Sequence, residues 1–286
     1  MSGGPMEEPI YILGHSEGER QRLIAQSSLY GSFTERLLIQ AGIGKGMRVL
    51  DLGCGVGEVS LLAARLVGPG GAVVGVDREE VAVQAARERA AARGWRNLTF
   101  VTGDHKDLPV ARRFDALVGR FVLMYQADPQ ATLSSLRDKV VTSGIVAFQE
   151  LDFTDPPGLA ENPAWHRCFT WWKETALRAG IEVHMGMKLY STFRRAGVAA
   201  PSVEMFTPLG SGPDFVGYPY VAESIRSILP LMEKLEVATA AEVDVSTLAE
   251  RLRADTLASG GGWFYPIRWA PGVEWPEPPG NAAARK

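Results

Sequence analysis

Cysteine is nearly absent from this chain: there are two in 286 residues, Cys54 and Cys168, far apart and in no metal-ligand spacing. That count argues against a disulfide framework and makes a reducing cytoplasm the expected compartment. The four histidines are scattered, so no metal is expected. No run approaches the roughly 18 apolar residues of a membrane span. The start, "MSGGPMEEPIYILGH", lacks the basic residues and apolar stretch of a secretory signal. Excess charge of one sign is missing too. The net charge is −3, which leaves no electrostatic footprint for nucleic acid or acidic lipid. Arg87, Arg89, Arg93 and Arg96 cluster locally, at a spacing that reads as the solvated side of a helix.

What is present suits one large domain: 46% of the residues are hydrophobic, enough for a sizeable core. Residues 17 to 42 read as two helices, with Leu23, Ile24, Leu37 and Leu38 at helical spacing. From residue 45 short apolar runs alternate with helical stretches. "MRVLDLG", "GAVVGVD", "LTFVTGD", "FDALVGR" and "GIVAFQELD" read as five strands, and the alternation predicts a doubly wound α/β fold with a mostly parallel sheet. After Asp152 an aromatic-rich helix, a further helix over "MKLYSTFRRAG", a sixth strand at "PSVEMFTPLG", helices over 214 to 260 and a last strand at "GGWFYPIRWAPG" are expected. The organisation reads as an N-terminal helical segment over 1–44, a core over 45–152, the end of the sheet with helical insertions over 153–270, and a flexible Pro-rich tail over 271–286.

The stretch "VLDLGCGVGE", residues 49 to 58, places Gly53, Gly55 and Gly57 at alternate positions after a strand. Glycine is expensive in backbone entropy, so three together imply a close approach to the main chain. A dinucleotide fingerprint wants its third glycine where Glu58 stands, and a carboxylate there would repel a pyrophosphate. Asp77 ends the second strand in "VVGVD", where a carboxylate can accept both hydrogen bonds of a ribose diol. Asp104 and His105 follow the third strand in "VTGDHKDLP", and Arg120 ends the fourth in "FDALVGRFVLMYQADP".

These motifs, in this order, resemble those of the class I S-adenosylmethionine-dependent methyltransferases over residues 45 to 152, and "YILGHSEGERQRLIAQ" is loosely similar to small-molecule members. The resemblance implies a Rossmann-like, seven-stranded sheet with N-terminal helices and a helical lid. It implies S-adenosyl-L-methionine as cofactor and S-adenosyl-L-homocysteine as product. Gly53, Gly55 and Gly57 would pass the methionine portion, and Asp51 would organise the loop and the amino-acid end, or simply brace the turn. Asp77 would hold the ribose and Asp104 the adenine amino group, with His105 against the ring. Arg120 would face the cofactor carboxylate, a substrate or a surface acid. Tyr11, His15 and Tyr30 would close the site from the N-terminal side, or else only pack. "VVTSGIVAFQE" carries Thr142-Ser143-Gly144 where many members have a Pro-Gly-Gly turn.

For chemistry, the implied task is alignment of a nucleophile with an activated methyl group, with proton removal for some acceptors. Glu150, at a strand end, and His166 are the candidate general bases; capping of a loop and a structural histidine are the alternatives. Trp165, Phe169, Trp171 and Trp172 read either as core or as the lining of an apolar pocket. The expected acceptor is a small apolar or aromatic metabolite of specialised metabolism. Nucleic acid and membrane are not expected partners, and a homo-oligomer stays open. An RNA or protein methyltransferase, or a non-catalytic binding protein on the same fold, are the competing readings. Against RNA stand the acidic balance and the region "GRFVLMY", which lacks the Asn/Asp-Pro-Pro-aromatic motif of exocyclic-amine methylation.

Overall fold

A computed structural model describes residues 17–108, 112–155, 162–199, 201–210, 212–259 and 267–274. The chain starts with helix α1 (Glu17–Gln40) and enters the alternation β1 (Arg48–Leu52), α2 (Glu58–Val67), β2 (Ala72–Asp77), α3 (Glu80–Ala92), β3 (Leu98–Thr102), β4 (Phe114–Arg120), α4 (Pro129–Ser135) and β5 (Val140–Leu151). It continues through α5 (Pro163–Arg178), α6 (Met185–Arg195), β6 (Glu204–Phe206), α7 (Gly217–Lys234), α8 (Ala240–Val243), α9 (Val245–Ser259) and β7 (Ile267–Glu274).

The seven strands form one sheet in the order β3-β2-β1-β4-β5-β7-β6. The first five pair in parallel, while β7 runs antiparallel to both neighbours. Strand order reverses between β1 and β4, and at such a point the following loops diverge and leave a crevice at the carboxyl edge.

Strand alternation decides what lies on each side. Val49, Val73, Ala116, Val118 and Ala147 face one way and bury against Leu37 and Leu38 of α1 and Val59, Ala63 and Val67 of α2. Leu50, Leu52, Leu117, Val146 and Phe148 face the other way, into a larger core that includes residues of α5, α6, α7 and α9. That core is continuous from Leu29 to Leu252.

Three expectations need correction. The segment 17–42 is one helix as far as Gln40 rather than two. A mid-helix glycine disfavours the helix by about 1 kcal/mol, but the residues around Gly31 are anchored on both sides of it: Leu29 and Tyr30 in one core, Leu37 and Leu38 in the other. The stretch Thr142-Ser143-Gly144 lies inside β5 rather than in a turn. It bulges there, since pairing with β4 passes from Phe114↔Val140 to Ala116↔Ile145 and Ser143 takes φ 61°. Finally, β7 runs to Glu274, past the start placed for the tail at residue 271. Pro271 has no N–H to give a ladder, and the register slips there, between the Phe148↔Ala270 and Val146↔Val273 pairs. The bulge lets a proline sit in a strand. No helix among the described residues is long and apolar enough to cross a membrane.

Candidate functional site

The three glycines of the β1–α2 turn all have positive φ, 63°, 50° and 82° at Gly53, Gly55 and Gly57. Their surroundings differ. A Cβ at Gly53 would meet a Val122 methyl at 2.5 Å, and one at Gly57 would meet the Phe100 ring at 2.9 Å and Ala86 at 3.2 Å. Those two glycines are needed for packing. At Gly55 a Cβ would meet nothing within 4 Å, so this residue borders open space.

Neighbouring strand ends are knitted to that turn. The Gly55 N–H donates to Asp77 Oδ2 at 2.8 Å, and the Glu79 N–H to Asp77 Oδ1 at 3.0 Å. Cys54 N–H reaches the Val76 carbonyl and Gly103 N–H the Asp77 carbonyl. The Asp77 carboxylate is thus oriented by backbone while each oxygen keeps a further lone pair for a hydroxyl. Asp104 accepts from Lys106 N–H at 2.8 Å and from Arg78 Nη2 at 2.6 Å, with His105 Nδ1 3.1 Å away. Partial burial raises the Asp104 pKa, but these donors outweigh it and hold the group below the ordinary carboxylate value. His105 is buried, its Nε2 3.2 Å from Ser135 Oγ, and desolvation lowers its pKa despite Asp104. Both ring nitrogens therefore have partners, Asp104 in the same loop and Ser135 at the end of α4.

Asp51 is fully buried below the turn. Its Oδ2 accepts from Ser60 Oγ at 2.5 Å, while Oδ1 has no partner. Desolvation pushes its pKa up to about 7, against the downward pull of Ser60 and of Arg120. Arg120, at the exit of β4, is drawn downward by burial but stays a cation. Its Nη1 donates to Thr34 Oγ1 at 3.1 Å and its Cζ lies 5.9 Å from the Phe121 ring centroid. Among the described residues no carboxylate lies within ion-pair distance of it. Phe121 itself takes φ 56°, an unusual conformation for a non-glycine residue and one that clusters at binding sites. The Phe121 and Tyr220 rings meet Tyr30 edge-on, at 5.5 and 6.0 Å, so α1, α7 and the β4 exit together build an aromatic wall beside Arg120.

The structure does not bring the two candidate bases to this crevice. Glu150 is on the opposite face of the sheet, fully buried, and accepts from the backbone N–H groups of Val122 (3.1 Å), Leu123 (2.8 Å) and Met124 (3.3 Å). Burial raises its pKa to about 7, partly offset by those three donors. It braces the loop after β4. His166 is exposed on α5, a solvated surface group. The aromatics of that helix are core: Trp172 stacks on Phe153 at 4.7 Å, Trp165 Nε1 donates to Thr256 at 2.8 Å, and Phe169 and Trp171 are buried in the same cluster. Tyr11 and His15 lie outside the described residues.

Sequence reasoning missed Thr34, Ser60, Phe121, Gln149 and Tyr220. Gln149 carried a legible signal, because a polar residue interrupts the apolar run of "GIVAFQEL" on the α1 side. The others gave none, since a threonine or tyrosine in a helix is ordinary.

A glycine turn open at one position, an acid oriented at the next strand end and a third acid beyond it, all at a sheet's reversal point, define a Rossmann-like nucleoside-binding protein. The family model for the methyltransferase domain matches residues 43–197, more than half of the sequence, and the chain belongs to that family, the class I S-adenosylmethionine-dependent methyltransferases. It is similar to the aklanonic acid methyltransferase DauC of Streptomyces sp. (strain C5), 35% identical over 105 residues, 36% of this chain and 47% of that protein. It is also similar to the demethylmenaquinone methyltransferase of Staphylococcus aureus (strain JH9), 29% identical over 117 residues, 41% of this chain and 48% of that protein. The matched region spans about half the length of these relatives. A SAM-dependent methyltransferase structure from Aquifex aeolicus superposes with a TM-score of 0.52 at 19% identity, over 66% of this chain and 91% of that one, a likeness of fold.

Proposed function

We propose that the chain is a methyltransferase that uses S-adenosylmethionine to methylate a small, apolar or aromatic metabolite. The observation that carries this reading is the crevice at the β1/β4 reversal, open at Gly55 and flanked by an oriented Asp77 and an under-bonded, buried Asp51. Those residues fit the cofactor: a ribose diol for Asp77, an ammonium for the bare oxygen of Asp51, and an uncharged thioether stem for the open backbone at Gly55. When bound, the cofactor supplies a methyl group already activated by its sulfonium. The protein's share is then to orient the acceptor and keep water out.

The Tyr30, Phe121 and Tyr220 wall suits a flat apolar acceptor, and ring faces also steady positive charge near the transferred methyl. Of the two readings left open for Trp165, Phe169, Trp171 and Trp172, their burial supports core, and this wall is the apolar surface beside the crevice instead. The relatives' names, an aklanonic acid and a demethylmenaquinone methyltransferase, support a small ring-bearing acceptor. The test is transfer of a labelled methyl group to a panel of phenols, quinols and aromatic acids, run beside bulk RNA and protein. Label in the small molecules alone supports the proposal. Label in RNA or protein, with none in the panel, overturns the acceptor class.

A further inference from the structure

Glu58 is the first residue of α2, standing where a dinucleotide fold needs glycine, and neither the proposed cofactor contacts nor the aromatic wall uses it. Its carboxylate is held from three sides. Ser27 Oγ of α1 donates to Oε2 at 2.7 Å, and Arg89 Nη2 of α3 donates to Oε1. The other Arg89 nitrogen, Nη1, donates at 2.6 Å to the Val56 carbonyl inside the glycine turn. The Glu58 side chain is only 13% exposed, so water screens its charge poorly. Its field reaches the crevice: of the charges that favour the Arg120 cation, Glu58 contributes most and Asp51 next.

The start of a helix draws anions, because its first N–H groups are unpaired and its dipole is positive there. In α2 the N-cap is Gly57, which has no side chain to offer, and carboxylates of the protein supply the negative charge. Asp51 takes the Ser60 hydroxyl at 2.5 Å and the Ser60 backbone N–H, and Glu58 lies in the same first turn. The place that such folds give to a phosphate is therefore already negative. The Gly55 N–H on Asp77 sets a ribose diol next to this turn. A diphosphate on that ribose would extend toward two carboxylates. The methionine chain of S-adenosylmethionine instead carries a sulfonium and an ammonium against its one carboxylate.

Resting on the proposed placement of the cofactor, we infer that Glu58, held by Ser27 and Arg89, is a specificity-determining residue that rejects adenine nucleotides from the cofactor site. Those nucleotides share the adenosine half that Asp77 and Asp104 would hold, so the selection is made beyond the 5′ carbon. Without the Glu58 charge, Arg89, Arg120 and the α2 N-terminus would together attract phosphate.

The test is calorimetric titration of the full chain at neutral pH with S-adenosylhomocysteine, adenosine and ADP, without divalent metal. Glu58→Gln keeps the shape and an acceptor oxygen for Arg89 while removing the charge. Wild type is expected to bind ADP at least about tenfold more weakly than adenosine. In Glu58→Gln the affinity for ADP relative to adenosine should rise about tenfold, the order of effect of one poorly screened charge. The rise should shrink at high salt, and adding Arg89→Met to Glu58→Gln should cancel much of it. Glu58→Ser, a second uncharged variant suited to a helix start, serves if Glu58→Gln does not fold. Wild-type binding of ADP as tight as that of adenosine overturns the inference. So does an unchanged ratio of ADP to adenosine affinity in an uncharged variant that melts like wild type. Failure of wild type to bind either S-adenosylhomocysteine or adenosine overturns the proposed function instead.

Discussion

At the scale of single residues, the three glycines of "VLDLGCGVGE" separate into packing and access. Gly55→Ala adds a methyl where nothing stands, so its structural penalty is the positive φ alone, about 1 kcal/mol. Its methyl would project into the crevice, and loss of S-adenosylhomocysteine binding with a near-normal melt is expected. Gly57→Ala adds overlap with Phe100 and Ala86 to a similar strain, an overpacking of roughly 1–3 kcal/mol more. Thermal melts should place it well below Gly55→Ala; the reverse order would contradict this assignment. Asp51 gives a pH prediction. With its pKa near 7 in the free protein, pairing with an ammonium requires the ionised form. Cofactor affinity should therefore fall as pH drops below about 7, and binding at pH 6.5 should release protons. Titrations in buffers of different ionisation enthalpy measure that release, and proton uptake would contradict the pairing.

At the scale of elements, Glu150 shows how a single carboxylate sets the loop after β4. It ties Val122, Leu123 and Met124 and so holds Phe121 in its strained conformation beside Arg120. Glu150→Ala leaves three buried N–H groups without an acceptor and should destabilise by about 2–4 kcal/mol. Its raised pKa means that the unfolded chain ionises near pH 4.5 while the folded one does so near 7. Stability from this group is full below about 4.5 and is lost as pH rises through about 7. Urea melts at pH 5.5 and 7.5 should show a flatter pH dependence in Glu150→Gln than in wild type. Strand-end position suggested that this residue faced the crevice, but strand alternation decides otherwise. Gln149, one position earlier, is the residue on the α1 side. In α1, likewise, the two helices expected over 17–42 are one helix to Gln40, because residues on both sides of Gly31 are anchored in the two cores.

At the scale of the whole molecule, the parallel strands were legible because each is a short apolar run closed by a glycine or an acid, as at Gly53, Asp77 and Asp104, or at β4 by Arg120. Their common edge is where the motifs converge. The destination of the α5 aromatics was not legible, because Trp165, Phe169 and Trp172 share a face whose spacing is the same against core or ligand. Their burial with α7 and α9 makes them part of what holds the late helices to the sheet. Trp172→Ala should cost about 3–5 kcal/mol, read as a lowered melting temperature with cofactor affinity kept at temperatures where the variant is folded. His166→Ala, on the exposed side of the same helix, should stay within about 0.5 kcal/mol of wild type and keep full methyl transfer. The most direct measurement of the central claim is calorimetric titration of wild type and Asp77→Ala with S-adenosylmethionine and S-adenosylhomocysteine. Saturable one-site binding of both by wild type is expected, with a loss of roughly 10- to 100-fold on removing the ribose-facing carboxylate. Absence of binding by the folded wild-type protein, or unchanged affinity in Asp77→Ala, would contradict it.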